Sequence, residues 1–338
     1  MLLESLRRAD AARPRLADAA AILRRGGLVA FPTETVYGLG ADALNPRALE
    51  RIFEAKGRPR SNPLILHVAG LTMARGLVTE VPLRALRLME AFWPGPLTLI
   101  LPKHPCVPDE ATAGGSTVAL RMPEHPLALA LLRTFGGPIA APSANRSEHV
   151  SPTTAEHVRA DLGDRVDLIL DGGPCRSGLE STVVDLSGPV PRLLRPGPLA
   201  PPALVAVLGM DLAPPRPAHG IQRSPGQARR HYAPGLPVIL RAQGEALPSS
   251  GPLGWMSLEP TRETCPQVSV RIEMPRDPTD YGRALYGVLR DLEQLPLRGL
   301  VVDRPPDTPP WQAVQDRLHR ASAPGPLPAV PLFLPECP

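Results

Sequence analysis

Thr33-Glu34-Thr35 follows a short apolar run that ends at Pro32, and Lys56-Gly57-Arg58 comes about one helix later. Hydroxyls at a strand-to-loop edge suit a small polar substrate, and paired cations on a glycine-loosened loop suit a polyphosphate. Because the triplet cannot stay helical past Pro59, both cations are expected on an exposed loop. Taken alone, such a triplet is as often a solvated charged loop. Polar turns recur at the ends of other apolar runs, in Asn62-Pro63-Leu64-Ile65-Leu66-His67-Val68, Ser143-Ala144-Asn145 and Ser181-Thr182-Val183-Val184-Asp185. A histidine that ends an apolar strand is also the kind found satisfied inside a core. Thr33 and Glu34 are equally suited to shaping their own turn. No GxSxG elbow, Walker A lysine or zinc-type His/Cys spacing appears, so nothing in the chain points to a protein nucleophile.

These blocks, in this order, closely resemble the YrdC-like family, and more narrowly its long form, the threonylcarbamoyl-AMP synthases. The resemblance is dense over about residues 12–200 and resumes at Ser224-Pro225-Gly226 and Arg230-His231-Tyr232-Ala233-Pro234. It implies a twisted mixed sheet with flanking helices around a large cleft. It also implies a reaction in which L-threonine, bicarbonate and ATP give L-threonylcarbamoyladenylate and pyrophosphate, for threonylcarbamoyladenosine beside the tRNA anticodon. A carbamate attacking the α-phosphorus of ATP brings two anions together, so the site needs cations that offset their repulsion.

By the resemblance, Lys56 and Arg58 are the catalytic cations on the triphosphate. Thr35, His67, Arg121, Ala141 and Ser181 face threonine, Arg121 being suited to bidentate pairing with its carboxylate or, alternatively, to a rim salt bridge. ATP is expected on Lys56, Arg58, Asn62, Thr117, Ser143, Asn145, Ser151, Arg195 and Tyr232. Mg²⁺ is expected on the triphosphate, since no carboxylate cluster marks a dedicated cage. The linker departs from the family, which usually has a Met-basic-aromatic run where this chain has Gln227-Ala228-Arg229. Arg230, His231 and Tyr232 match, and the linker is expected to close over the nucleotide as a lid. Two other readings stay open: a double-stranded RNA or tRNA-binding module using Arg24, Arg25, Arg58, Arg60 and Arg121, and a carbamoyl-transfer relative acting on another acceptor.

The elements that must position these residues follow from periodicity. An amphipathic helix over 15–25 stops at Gly26-Gly27, and Asn45 caps a helix opened by Pro46. A helix over Leu83–Phe92 and short apolar strands at 28–31, 64–68, 97–101, 118–121, 139–141, 168–170 and 182–186 alternate with helices at 127–133 and 154–160. Alternation of this kind implies an α/β layered fold. From about Leu208 to Pro237 the chain is proline-rich and aperiodic, as a linker is. Beyond it, strands at 238–240, 254–256 and 299–302 and helices at 280–292 and 311–320 make a smaller, Rossmann-like α/β unit. The expected organisation is a catalytic domain over 1–208, a linker over 209–236 and a C-terminal domain over 237–338.

Forty-six prolines in 338 residues argue against a helical bundle, and the four cysteines, Cys106, Cys175, Cys265 and Cys337, form no close pair. The net charge of +4 permits RNA contact without announcing it. No apolar run approaches the ~20 residues that span a bilayer, and the N-terminus carries an early acid and no cleavage site. A cytoplasmic protein, working with a downstream tRNA threonylcarbamoyl-transfer machinery and no membrane, is the expectation.

Overall fold

The computed structural model describes residues 15–214, 226, 229–242, 245–259 and 265–324. The first region begins with a helix over 15–24 (α1). In chain order there follow β1 (Val29–Phe31), β2 (Gly38–Asp42), α2 (Pro46–Lys56), β3 (Ile65–His67), α3 (Leu71–Arg75) and α4 (Leu83–Phe92). Next come β4 (Leu97–Pro102), α5 (Asp109–Thr112), β5 (Thr117–Arg121), α6 (Pro126–Phe135), β6 (Ile139–Ala140), α7 (Ala155–Leu162), β7 (Leu168–Ile169), β8 (Thr182–Asp185), β9 (Arg192–Arg195) and α8 (Pro201–Leu208). The strands form one mixed sheet in the order β7-β1-β2-β6-β3-β5-β4-β8-β9. The second region holds β10 (Val238–Arg241), β11 (Leu253–Ser257), β12 (Val268–Glu273), α9 (Pro278–Glu293), β13 (Gly299–Asp303) and α10 (Gln312–Ala321). Its sheet, β10-β13-β11-β12, is parallel throughout.

Strand period two sorts the large sheet into faces. Leu64, Leu66, Leu99, Leu101, Val118, Leu120 and Val184 join one large core with residues of α2, α4, α7 and α8. Their neighbours Ile65, Ile100, Ala119, Val183 and Leu194 form a separate small cluster on the opposite face. On that face, helices α1 and α6 cover Val29, Phe31 and Ile139 at the other end of the sheet. The stretch between these two clusters carries His67 after Ile65 and Arg121 after Ala119, and there the second domain comes close. Its core of Tyr281, Leu285, Tyr286, Leu300 and Trp311 also takes in Val36, Val150 and Leu179 of the first region and Tyr232 of the linker.

Several elements differ from the sequence expectation. Gly38–Asp42 is a central strand rather than part of a loop, because Gly40 lets Phe31 and Ile139 pack where a Cβ would stand. Val268–Glu273 forms the half-exposed edge strand of the second sheet, and Pro201–Leu208 is a helix opened by two prolines. Ser224-Pro225, Gln227-Ala228, Cys337 and the first residues of the chain lie outside the described residues. No helix among the described residues is long and apolar enough to cross a membrane.

Candidate active site

Lys56 and Arg58 are the first correction to the sequence reading: they are 3% and 7% exposed, not residues of an open loop. Asn45 caps α2 by accepting from Arg47 N and Ala48 N, and Gly57 ends the helix at φ +60°. That left-handed turn sends the chain back inward. The Lys56 ammonium donates to the carbonyls of Ser143 (2.6 Å) and Asn145 and to Asn145 Oδ1 (3.4 Å). Arg58 donates Nε to Asn62 O (3.1 Å) and Nη2 to Pro63 O (2.8 Å). Burial, then the Arg58 charge, pulls the Lys56 amine well below its ordinary range, while three acceptor oxygens match its three N–H donors. Burial also brings Arg58 down to about 9, which leaves it charged at neutral pH.

The uncovered stretch of the sheet floors a partly open cleft at the strand ends. Thr35, Arg58, His67, Arg121, Ala141, Ser143, Ser181, Arg195 and Tyr232 all line it. His67 and Arg121 are paired neighbours on β3 and β5. Ser181 Oγ sits 2.7 Å from Thr98 Oγ1 and accepts from Arg195 Nη2 at 3.1 Å. Thr33 shapes its own turn, donating to Val36 O at 2.6 Å and accepting from Thr35 N and Val36 N. Burial and the Arg121 charge pull His67 down to about 3, so its ring is neutral. Its Nδ1 is buried without a hydrogen-bond partner.

Other expected residues stand behind the wall. Asn145 holds Lys56 and donates Nδ2 to Arg146 O and His149 O. Asn62 and Ser151 are buried, with Asn62 Oδ1 and Ser151 Oγ unpartnered. Thr117 begins β5, the strand whose far end, Arg121, reaches the cavity. Arg121 is neither free nor at a rim: Nη2 donates to Glu34 Oε1 at 2.6 Å, both groups buried, and Nε to Gly95 O. With Arg58 and Arg121 inside the molecule and Arg60 paired to Glu50, the five arginines of the RNA-binding reading do not form one surface.

Glu180, His231 and Gly226 also line the cavity, although none of them is among the expected site residues; His231 and Gly226 stand only in the matching linker blocks. Burial pushes the Glu180 carboxyl up, but Arg317 and Arg195 outweigh it and bring the group down to about 2. Burial pulls His231 down to about 3, and its Nδ1 accepts from Tyr232 N. Glu180 stands in the polar block before β8, which is the one sequence sign of it; Arg317, on a helix 137 residues away, has no local signal. Among the described residues no group of three or more His, Cys, Asp or Glu side chains is placed to hold a metal ion.

Two family models match the chain: Sua5–YciO–YrdC, described as telomere recombination, over residues 21–197, and the C-terminal domain of threonylcarbamoyl-AMP synthase over 202–323. The threonylcarbamoyl-AMP synthase of Bacillus subtilis is 50% identical over 240 residues, covering 67% of this chain and 66% of the relative. That of Pyrococcus abyssi is 50% identical over 226 residues, 66% of each. The matched part of the chain thus spans just under two thirds of either relative's length. The crystal structure of P. abyssi Sua5 complexed with L-threonine superposes with a TM-score of 0.83 at 38% identity, covering 91% of this chain and 94% of that one.

Proposed function

We infer the activity from one premise: the chain belongs to the threonylcarbamoyl-AMP synthase family. It joins L-threonine, bicarbonate and ATP into L-threonylcarbamoyladenylate and releases pyrophosphate. The observation that carries this reading is the cavity itself, in which Arg58, Arg121 and Arg195 converge with Thr35, neutral His67 and Ser181 on the bare stretch of the sheet. The complex of the P. abyssi relative with L-threonine supports threonine as the amino acid that this chain uses.

In this reading Thr35, His67, Ala141 and Ser181 orient threonine, and Arg121, itself fixed by Glu34, faces its carboxylate. The amine adds to bicarbonate carbon with loss of water, forming the N–C bond of the carbamate. A carbamate oxygen then attacks the α-phosphorus, and the bond to pyrophosphate breaks. Arg58 and Arg195 offset the charge of the two approaching anions, and Tyr232 covers the nucleotide. Lys56 acts one layer back: it fixes the turn that presents Ser143 and Asn145. Asn62, Thr117 and Ser151 lie outside the cavity lining and belong to the nucleotide side by the family resemblance alone. Magnesium would come bound to the triphosphate and offset its charge there.

In the same reading the labour is divided between a catalytic domain over 1–208, a linker and lid over 209–236 and a C-terminal domain over 237–338. The adenylate is consumed, in the cytoplasm, by transfer of its threonylcarbamoyl group to the adenosine beside the tRNA anticodon. Labelled bicarbonate tests the reading. Label should enter a product that migrates as an adenylate only when L-threonine and ATP are both present. Incorporation without threonine, or no incorporation at all, would refute it.

A further inference from the structure

Glu180 is the only acid among the described residues that line the cavity. A bare carboxylate there would repel a triphosphate and a carbamate alike. Beside Arg195 of the first domain, its charge is met from the second domain. Arg317, buried on α10, donates Nε to Glu180 Oε2 at 2.7 Å, Nη2 to Glu180 O at 3.3 Å and Nη1 to Pro196 O at 2.9 Å. Tyr286, on α9, donates its hydroxyl to the same carboxylate at 2.9 Å. The Arg317 guanidinium also lies 4.9 Å over the Tyr232 ring, which stacks on Tyr286 at 5.9 Å. Tyr232 holds φ at +58°, a conformation that a bulky residue keeps only when its surroundings enforce it.

Resting on the activity inferred above, we propose that Arg317 is a positioning residue for the reaction. From the second domain it withdraws the Glu180 charge from the anion site and seats Tyr232 in the cavity wall. It touches no reacting atom. The first domain's site is therefore completed electrostatically, and not only covered, by the docked second domain.

The test uses full-length protein carrying Arg317→Met, Arg317→Lys, or Arg317→Met combined with Glu180→Gln. The readouts are ATP affinity by calorimetry, KM and kcat, and the urea midpoint. Arg317→Met should weaken ATP binding at least about tenfold by removing the ion-pair partner of the buried Glu180 carboxylate, and the double variant should recover to within about threefold of wild type. Arg317→Lys keeps the charge but loses the planar fork, so it should hold ATP affinity and lower kcat. Unchanged ATP affinity in folded Arg317→Met would overturn the proposal. So would a double variant that keeps the wild-type midpoint yet binds ATP as weakly as the single one. Should Arg317→Met fail to fold, the double variant decides: ATP affinity within threefold supports the proposal, and a loss beyond tenfold overturns it. Wild-type protein that binds ATP but releases no threonine-dependent pyrophosphate would refute the activity while leaving these affinity comparisons intact.

Discussion

Raising the pH should loosen the contact between the domains at His149. Its Nδ1 faces Asp161 Oδ1 at 3.5 Å and its Nε2 faces Glu293 Oε1 at 3.3 Å, joining α7 of the first domain to α9 of the second. Asp161 is also held by Arg290 at 2.7 Å, and Glu293 accepts from Gly235 N at 2.5 Å. Burial alone would pull the imidazole down, but the two carboxylates overcome it and raise it from 6.5 to about 9. At about 1.36 kcal/mol per pH unit, that gap corresponds to roughly 3 kcal/mol of stability. Because the folded-state value is the raised one, the contribution is whole below pH 6.5 and is lost as pH climbs through 9. By pH 8 only about 1.4 kcal/mol is left. Urea unfolding of wild type and His149→Gln from pH 6 to 10 isolates the effect, since other titrating groups cancel in the difference. The stability gap between the two proteins should close across that window. A gap that stays constant, or widens, would refute the reasoning.

Arg58→Ala should cut turnover at least about 100-fold, the scale of a lost charge-stabilising donor, and near-wild-type rates would remove the residue from the catalytic set. Lys56→Met leaves the carbonyls of Ser143 and Asn145 without their shared donor and should lower stability by about 1–3 kcal/mol in urea titration. An unmoved midpoint would mean that the ammonium does not hold that turn. At Gly226, with φ at +81°, a Cβ would collide with the Tyr232 hydroxyl, so Gly226→Ala should raise the KM for ATP. An unchanged KM would mean that Tyr232 does not meet the nucleotide.

The alternation of short apolar runs with amphipathic stretches was enough to read an α/β fold, and capped helices such as the one at Asn45-Pro46 were legible to the residue. Gly38–Asp42 was not, because a strand built on glycines shows no alternation and takes its identity from Phe31 and Ile139 packing against it. The residues placed around the cavity follow from the family resemblance, and only some of them, such as Thr35, Ser143 and Ser181, lie on polar turns at strand ends that a local pattern marks. Burial escaped the reading: Lys56 and Arg58 look solvated in the linear chain, and only the left-handed turn at Gly57 and the carbonyls of residues 62–63 and 143–145 explain their depth. Partners distant in sequence were equally hidden. Neither Glu34 with Arg121 nor Glu180 with Arg317 follows from any local pattern, since each pair is made by the topology of the fold.

Pyrophosphate release by the purified full-length protein tests the central claim most directly. Supplied with ATP, L-threonine and bicarbonate, it should release pyrophosphate steadily, and omitting any one of the three should bring release to background. Equal release with threonine or bicarbonate left out would contradict the account.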